Sequence, residues 1–140
     1  MLFYCIAIIH DPLFLGIPSK TAKKEDISIG KDLLDTLISH KEECVGMAGN
    51  MIGFSKRIIA FNNNGKYMVM YNPEIIVRSM PFDTEESCLS LLGNPRKTVR
   101  YRKIKVRYQD EKFVTKLKIF SDFTAQIIQH EVDHCNGVLI

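Results

Sequence analysis

The chain has no apolar run long enough to span a membrane, no internal repeat, no low-complexity tract and no linker. Those absences leave one folded unit, and 140 residues suit a single domain, residues 1–140, around one core. Excess charge is also scarce: a net +3 is too mild to imply a nucleic-acid partner, so neither DNA nor a membrane is expected as one. The four cysteines (Cys5, Cys44, Cys88 and Cys135) contain no CxxC pair. The apolar start, MLFYCIAII, lacks the preceding basic residues and the following small-residue cleavage site of a secretory signal. It reads as a strand or a packed arm, and reduced cytosolic thiols are expected rather than a disulfide framework.

What is present is an ordinary globular mixture, 46% hydrophobic and 25% charged, so disorder is not indicated. Ile27, Leu33, Leu34, Leu37 and Ile38 recur at helical spacing and predict a helix over residues 26–42. RIIAF, NNNG and KYMVMYNP read as strand, turn and strand, because Asn and Gly accept the left-handed angles of a tight hairpin. EIIVRSM predicts another strand. KTVRYRKIKVRYQ alternates Val99, Tyr101, Ile104 and Val106 with Arg100, Arg102, Lys105 and Arg107, slipping near Lys103. The basic set is expected on a solvated strand face, since no aromatic platform interleaves it. DEKF turns the chain into VTKLKIF, Ser121 caps a helix running through Cys135, and Asn136-Gly137 ends it. Strands in the middle with a helix near each end predict an α+β fold.

That last helix carries QHEVDHCNG. His130 and His134, four apart, share one face one turn apart. Two histidines at this spacing on a surface would mean little. Here Phe123 and Ile127 precede them on the same face, and two unpaired imidazoles aimed at a core are costly unless an ion satisfies both. Glu131 lies about 100° round the helix from His130 and can reach a water beside such an ion. This is the H-E-x-x-H arrangement, with the Glu as general base. Catalytic sites of this kind usually take three protein ligands, and ESCLS offers Cys88 as the third. Taken alone, a cysteine such as Cys88 is more often a buried apolar residue than a ligand. Cys135, next to His134, is poorly placed as a ligand and reads as core.

ESCLS and QHEVDHCNG resemble the second and third motifs of the peptide deformylase family, EGCLS and QHExDHLxG; CVGMAGNMIG, residues 44–53, resembles its first, GxGLAAxQxG. The three occur in the family's order and at its approximate separations, and the resemblance covers nearly the whole chain. It implies antiparallel sheets packed around a metal-binding helix. It implies Cys88, His130 and His134 as ligands to one divalent ion, Fe(II) natively with Zn, Ni or Co as substitutes. It implies Glu131 as acid and base, and the Leu89 backbone N–H as a donor to the developing oxyanion. The implied reaction is removal of the N-formyl group from formylmethionyl peptides in the cytoplasm, with nascent chains as partners and the ribosome close by. The peptide would lie as an added strand along Val45 and Gly46, with Phe123 and Ile127 walling the methionine pocket.

Departures accompany the matches. Met51 stands where the family has a glutamine that donates a hydrogen bond at the reacting centre, and methionine has no donor. Asn50 beside it has an amide. Ser87 and Cys44 replace glycines of the second and first motifs. These changes predict a slow deformylase. Two other readings stand beside it: a relative with lost or altered N-acyl specificity, and a non-catalytic metal-stabilised binding module at the ribosome.

Overall fold

A computed structural model describes residues 2–3, 11–42, 44–88 and 91–138; residues 2, 3, 87, 88 and 91–94 are described by backbone alone. The elements are β1 (Leu2–Phe3), α1 (Pro12–Leu15), a 3₁₀ turn (Lys24–Asp26), α2 (Ile27–Ser39), β2 (Gly46–Ala48), a second 3₁₀ turn (Gly49–Ile52), β3 (Ile58–Asn63), β4 (Lys66–Cys88), β5 (Leu91–Gln109), β6 (Thr115–Ser121) and α3 (Asp122–Cys135). The fold is α+β. One six-stranded sheet runs β2-β3-β4-β5-β6, antiparallel throughout, with β1 parallel to the end of β4. Of the apolar start only β1 lies among the described residues.

Local chemistry accounts for the turns. Asn64 and Gly65 both have positive φ (51° and 98°), the geometry a two-residue hairpin requires, and the Gly65 N–H donates to Asn62 Oδ1 at 2.6 Å. The expected EIIVRSM strand is not separate. It continues β4, whose register shifts between Tyr71 and Glu74, Ile75 and Val77, and Glu86 and Cys88, as bulges do when they bend a long strand.

Helix α2 buries Leu33 and Leu37 as expected, while Ile38 is exposed. Gly30 allows that helix to lie on Tyr71: an added Cβ would fall 2.0 Å from the Tyr71 hydroxyl, which donates to the Ile27 carbonyl. Helix α3 is buried on nearly every side, from Thr124 to Val132, which marks a central helix rather than a surface one. It packs against β5, β2 and β3. The Ser121 side chain makes no capping hydrogen bond among the described residues, contrary to expectation; Gly137, at φ 73°, follows the helix end as expected.

Two sequence expectations need correction here. The basic set on β5 is not one solvated face. Arg100 is buried, Arg102 lies over the Phe82 ring at 4.7 Å, and Arg107 pairs with Glu74 at 2.8 Å. No register shift falls on β5 itself between Val99 and Gln109 that would turn Arg100 outward: Arg100 keeps the parity of inward-facing Ile104 and Val106, and Val99 is the exposed neighbour. The thiols are not all reduced either, since the buried Cys44 is disulfide-bonded. Cys135 is a free thiol in the core, pushed up to about 12 by burial, and so chemically quiet.

Candidate active site

The site grows from the buried side of α3. His130 and His134 are both fully buried, their ring centroids 5.1 Å apart. Burial pushes the His134 imidazole down to about 3, helped by the nearby positive charge of Arg100, so its ring is neutral and keeps a lone pair. Neither ring nitrogen of His134 has a hydrogen-bond partner among the described residues. The same holds for Glu131 Oε1, whose carboxyl is 1% exposed and is pushed up to about 7, chiefly by burial. Buried polar atoms in native structures nearly always find partners. Orphans on His134 and Glu131, with the buried His130 one turn away, fit a cation. Among the described residues no set of three or more His, Cys, Asp or Glu side chains is gathered around one point. The Cys88 side chain and all of Leu89 lie outside the described residues.

An acid holds the first imidazole. His130 Nδ1 lies 2.8 Å from Glu86 Oε1, and a neutral His130 that donates there has Nε2 as its lone-pair nitrogen. Glu86 is fully buried and heavily coordinated. Arg100 donates to it through Nε at 3.1 and 3.0 Å and through Nη2 at 2.7 Å, and Gln126 donates through Nε2 at 2.8 Å. Burial works to raise the Glu86 carboxyl; the hydrogen bonds from His130 and Arg100, and the charge of Arg100, overrule it and hold the group down at about 2. Arg100 in turn reaches Asp133 on α3 at 2.6 Å. Asp133 touches no imidazole among the described contacts.

Sequence reasoning did not rank Glu86, Arg100 or Gln126. A signal existed for Glu86. It stands two residues before the candidate ligand Cys88 in a strand-like run, the spacing at which a sequence puts side chains on one face.

The first motif closes the site from the other side. Gly46, on β2, faces Glu131 and Ile127: a Cβ there would lie 2.8 Å from Ile127 Cγ2 and 2.9 Å from Glu131 Oε2. Only glycine lets this strand approach α3 so closely. Val45 is half-buried beside it and accepts the Asn62 N–H through its carbonyl. The structure separates the two expected wall residues. Ile127 is buried at Gly46, whereas Phe123 is 42% exposed and lines a cavity of about 500 Å³ with Asn63, Met68, Ile119, Phe120 and Thr124.

Asn50 and Met51 are both fully buried in the turn after β2. Asn50 Nδ2 donates to the His134 carbonyl at 3.0 Å, tying this turn to the end of α3. One of its Nδ2 hydrogens is thereby engaged, while its Oδ1 is buried with no hydrogen-bond partner among the described residues. Met51 turns its sulfur back to the Ala48 N–H at 3.3 Å. Gln129 reaches the edge of β5, accepting the Tyr101 N–H at 2.9 Å and donating to the Tyr101 carbonyl at 2.8 Å, which fixes the rotation of α3.

Comparison with known proteins bears on this arrangement. The polypeptide deformylase family model matches residues 6–140. A peptide deformylase of Clostridium beijerinckii is 50% identical over 133 residues, covering 95% of this chain and 97% of that one. One from Pseudothermotoga lettingae is 36% identical over 138 residues, covering 96% and 78%. Among solved structures, the Thermus thermophilus peptide deformylase superposes with a TM-score of 0.83 at 31% identity, covering 97% of this chain and 82% of that one. A class I type b peptide deformylase from Acinetobacter baumannii, solved with Met-Ala-Ser bound, gives 0.83 at 26% identity, covering 96% of each.

Proposed function

The chain belongs to the polypeptide deformylase family, and on that footing we propose that Cys88, His130 and His134 hold one divalent ion beside Glu131. The protein is a hydrolase that removes the formyl group from nascent peptides. A divalent metal comes with the family; our reading is Fe(II), with Zn, Ni or Co able to substitute. The observation that most supports the ligand set is the buried, neutral His134, whose two ring nitrogens lack hydrogen-bond partners among the described residues, next to an equally buried His130. Cys88 follows Glu86 by two residues, and Glu86 touches His130, so the chain carries Cys88 into this neighbourhood.

When bound, the ion supplies Lewis acidity to the attacking water and to the formyl oxygen. Glu131 accepts the proton of that water and later delivers one to the departing amine; burial works to raise its carboxyl above the ordinary carboxylate range, in the direction that favours both tasks. Glu86 holds His130 in the Nδ1–H tautomer. The Leu89 backbone N–H is our candidate donor to the oxygen that becomes negative. The peptide runs beside Val45 and Gly46, where the missing side chain of Gly46 leaves its backbone close to Glu131. Ile127, and further along the helix Phe123, contribute apolar wall for the first side chain. We read residues 1–140 as one domain working in the cytoplasm, with the ribosome as the source of its substrate.

The test is direct. Protein prepared under reducing, oxygen-free conditions should bind one Fe(II) or Co(II) per chain and turn over formyl-Met-Ala-Ser. A chelator should abolish turnover and added ion restore it, and Cys88→Ala should lose the ion. Full turnover after chelation, or undiminished metal binding by Cys88→Ala, would overturn the ligand set.

Met51 leads to a second expected result. It offers no donor, and Asn50 is engaged with the His134 carbonyl. Met51→Gln should therefore raise kcat, by less than the roughly 100- to 1,000-fold that one oxyanion donor is worth, because its supporting contacts are missing. Asn50→Ala should act mainly on stability, by loosening the end of α3. Steady-state kinetics of both variants, with unfolding midpoints, check this. An unchanged kcat in Met51→Gln would mean that no side-chain donor from this turn enters the mechanism.

A further inference from the structure

We propose that Gln126 is a positioning residue for the His130 imidazole, acting through the carboxylate of Glu86. The inference rests on the reading of His130 as a metal ligand and extends it one contact outward. Gln126 precedes His130 by four residues on α3, so both side chains leave the same face of the helix. They divide the Glu86 carboxylate between them. Gln126 Nε2 donates to Oε2 at 2.8 Å, while His130 Nδ1 meets Oε1 at 2.8 Å. Arg100 Nε straddles both oxygens, and Arg100 Nη2 adds a second contact to Oε1.

Oε1 is thus shared by His130 and two Arg100 contacts, whereas among the described residues Oε2 has, besides Gln126, the Arg100 Nε contact at 3.0 Å. Without Gln126, Oε2 loses its shortest donor in a place where Glu86 is fully buried and Gln126 itself is 3% exposed. The carboxylate is then held mainly along one edge by Arg100 and gains rotational freedom about its last bond. That rotation moves Oε1 relative to Nδ1 of His130. The contact that selects the tautomer, and with it the aim of Nε2, weakens. A polar residue amid the buried apolar neighbours Ala125, Ile127 and Ile128 is otherwise hard to explain.

The experiment compares the parent with Gln126→Met, which keeps the length and removes the donor, and with Gln126→Leu. Long-range proton–nitrogen correlation spectra of the metal-free, ¹⁵N-labelled proteins at mildly alkaline pH report the His130 tautomer. Competition between protein and a chelator for Co(II) reports affinity. The parent should show the Nδ1–H tautomer, and the variants a mixture of both. Co(II) affinity should fall by up to about 10-fold, the low end for groups that touch a ligand directly. A folded variant with the parent's tautomer and Co(II) affinity overturns the proposal. Failure of both variants to fold overturns it as well, because a residue that only positions another is dispensable for folding. A parent that does not bind Co(II) overturns the ligand set instead, and the tautomer comparison still decides the role of Gln126.

Discussion

Glu131→Gln is expected to keep the fold and the metal and to lower kcat by roughly 10²- to 10⁴-fold, the usual worth of a positioned general acid or base. The carboxyl is 1% exposed, and burial has raised it to about 7, so it sits where a proton can be taken and returned. Glutamine has nearly the same volume and still offers an oxygen, but it cannot carry the proton. The described contact that holds His130 goes to Glu86, not to Glu131, so the ligand set should survive the change. Turnover of formyl-Met-Ala-Ser and bound metal, measured on the same preparations, separate the two effects. Lost turnover with full metal content supports the acid–base role. Equal turnover in variant and parent would end that assignment. Loss of the metal together with activity would instead make Glu131 part of what holds the ion.

The chemistry of this site was legible in the sequence where it is local, and hidden where it depends on pairing across the sheet. The spacing of His130, Glu131 and His134 fixes their geometry once a helix is granted, and α3 spans Asp122–Cys135 as the apolar pattern and Gly137 predict. The hairpin at Asn64-Gly65 was equally plain, since few other residues accept those angles. Arg100 was misread for a physical reason. Its neighbours Val99 and Tyr101 are the more apolar residues, so alternation alone turns Arg100 to solvent. The strand does the reverse, because a buried guanidinium that meets Glu86 and Asp133 can outweigh the exposure of one valine. The long pairing of β4 with β5 that brings these groups together is a property of two segments at once. Neither segment states it alone. The separation of Phe123 from Ile127 is similar: helical spacing puts them on one stripe, but β2 covers only the Ile127 end.

Arg100→Met is expected to be the costliest single change away from the reacting groups, destabilising the fold by about 3–5 kcal/mol. Arg100 is 4% exposed and Glu86 fully buried, so solvent screening cannot soften the loss. The guanidinium supplies three contacts to Glu86 of 3.1 Å or less and one of 2.6 Å to Asp133. It therefore joins β4, β5 and α3 at one point. Methionine fills much of the space and leaves Glu86 with His130 and Gln126 as its remaining described donors. The carboxylate must then either stay charged in an apolar setting or take up a proton, which weakens its hold on His130 Nδ1. A buried pair costs most when only one partner is removed. Adding Glu86→Gln to Arg100→Met should thus recover part of the stability, and the double variant should be less damaged than the sum of the two singles. Urea unfolding of the four proteins measures this coupling. Metal affinity should not recover alongside stability, because glutamine at 86 offers only a neutral acceptor to His130, and partners of ligating histidines typically carry a 10- to 100-fold share of affinity. A single Arg100→Met variant within about 1 kcal/mol of the parent, the range of an exposed pair, would show that this cluster is not the junction its geometry describes.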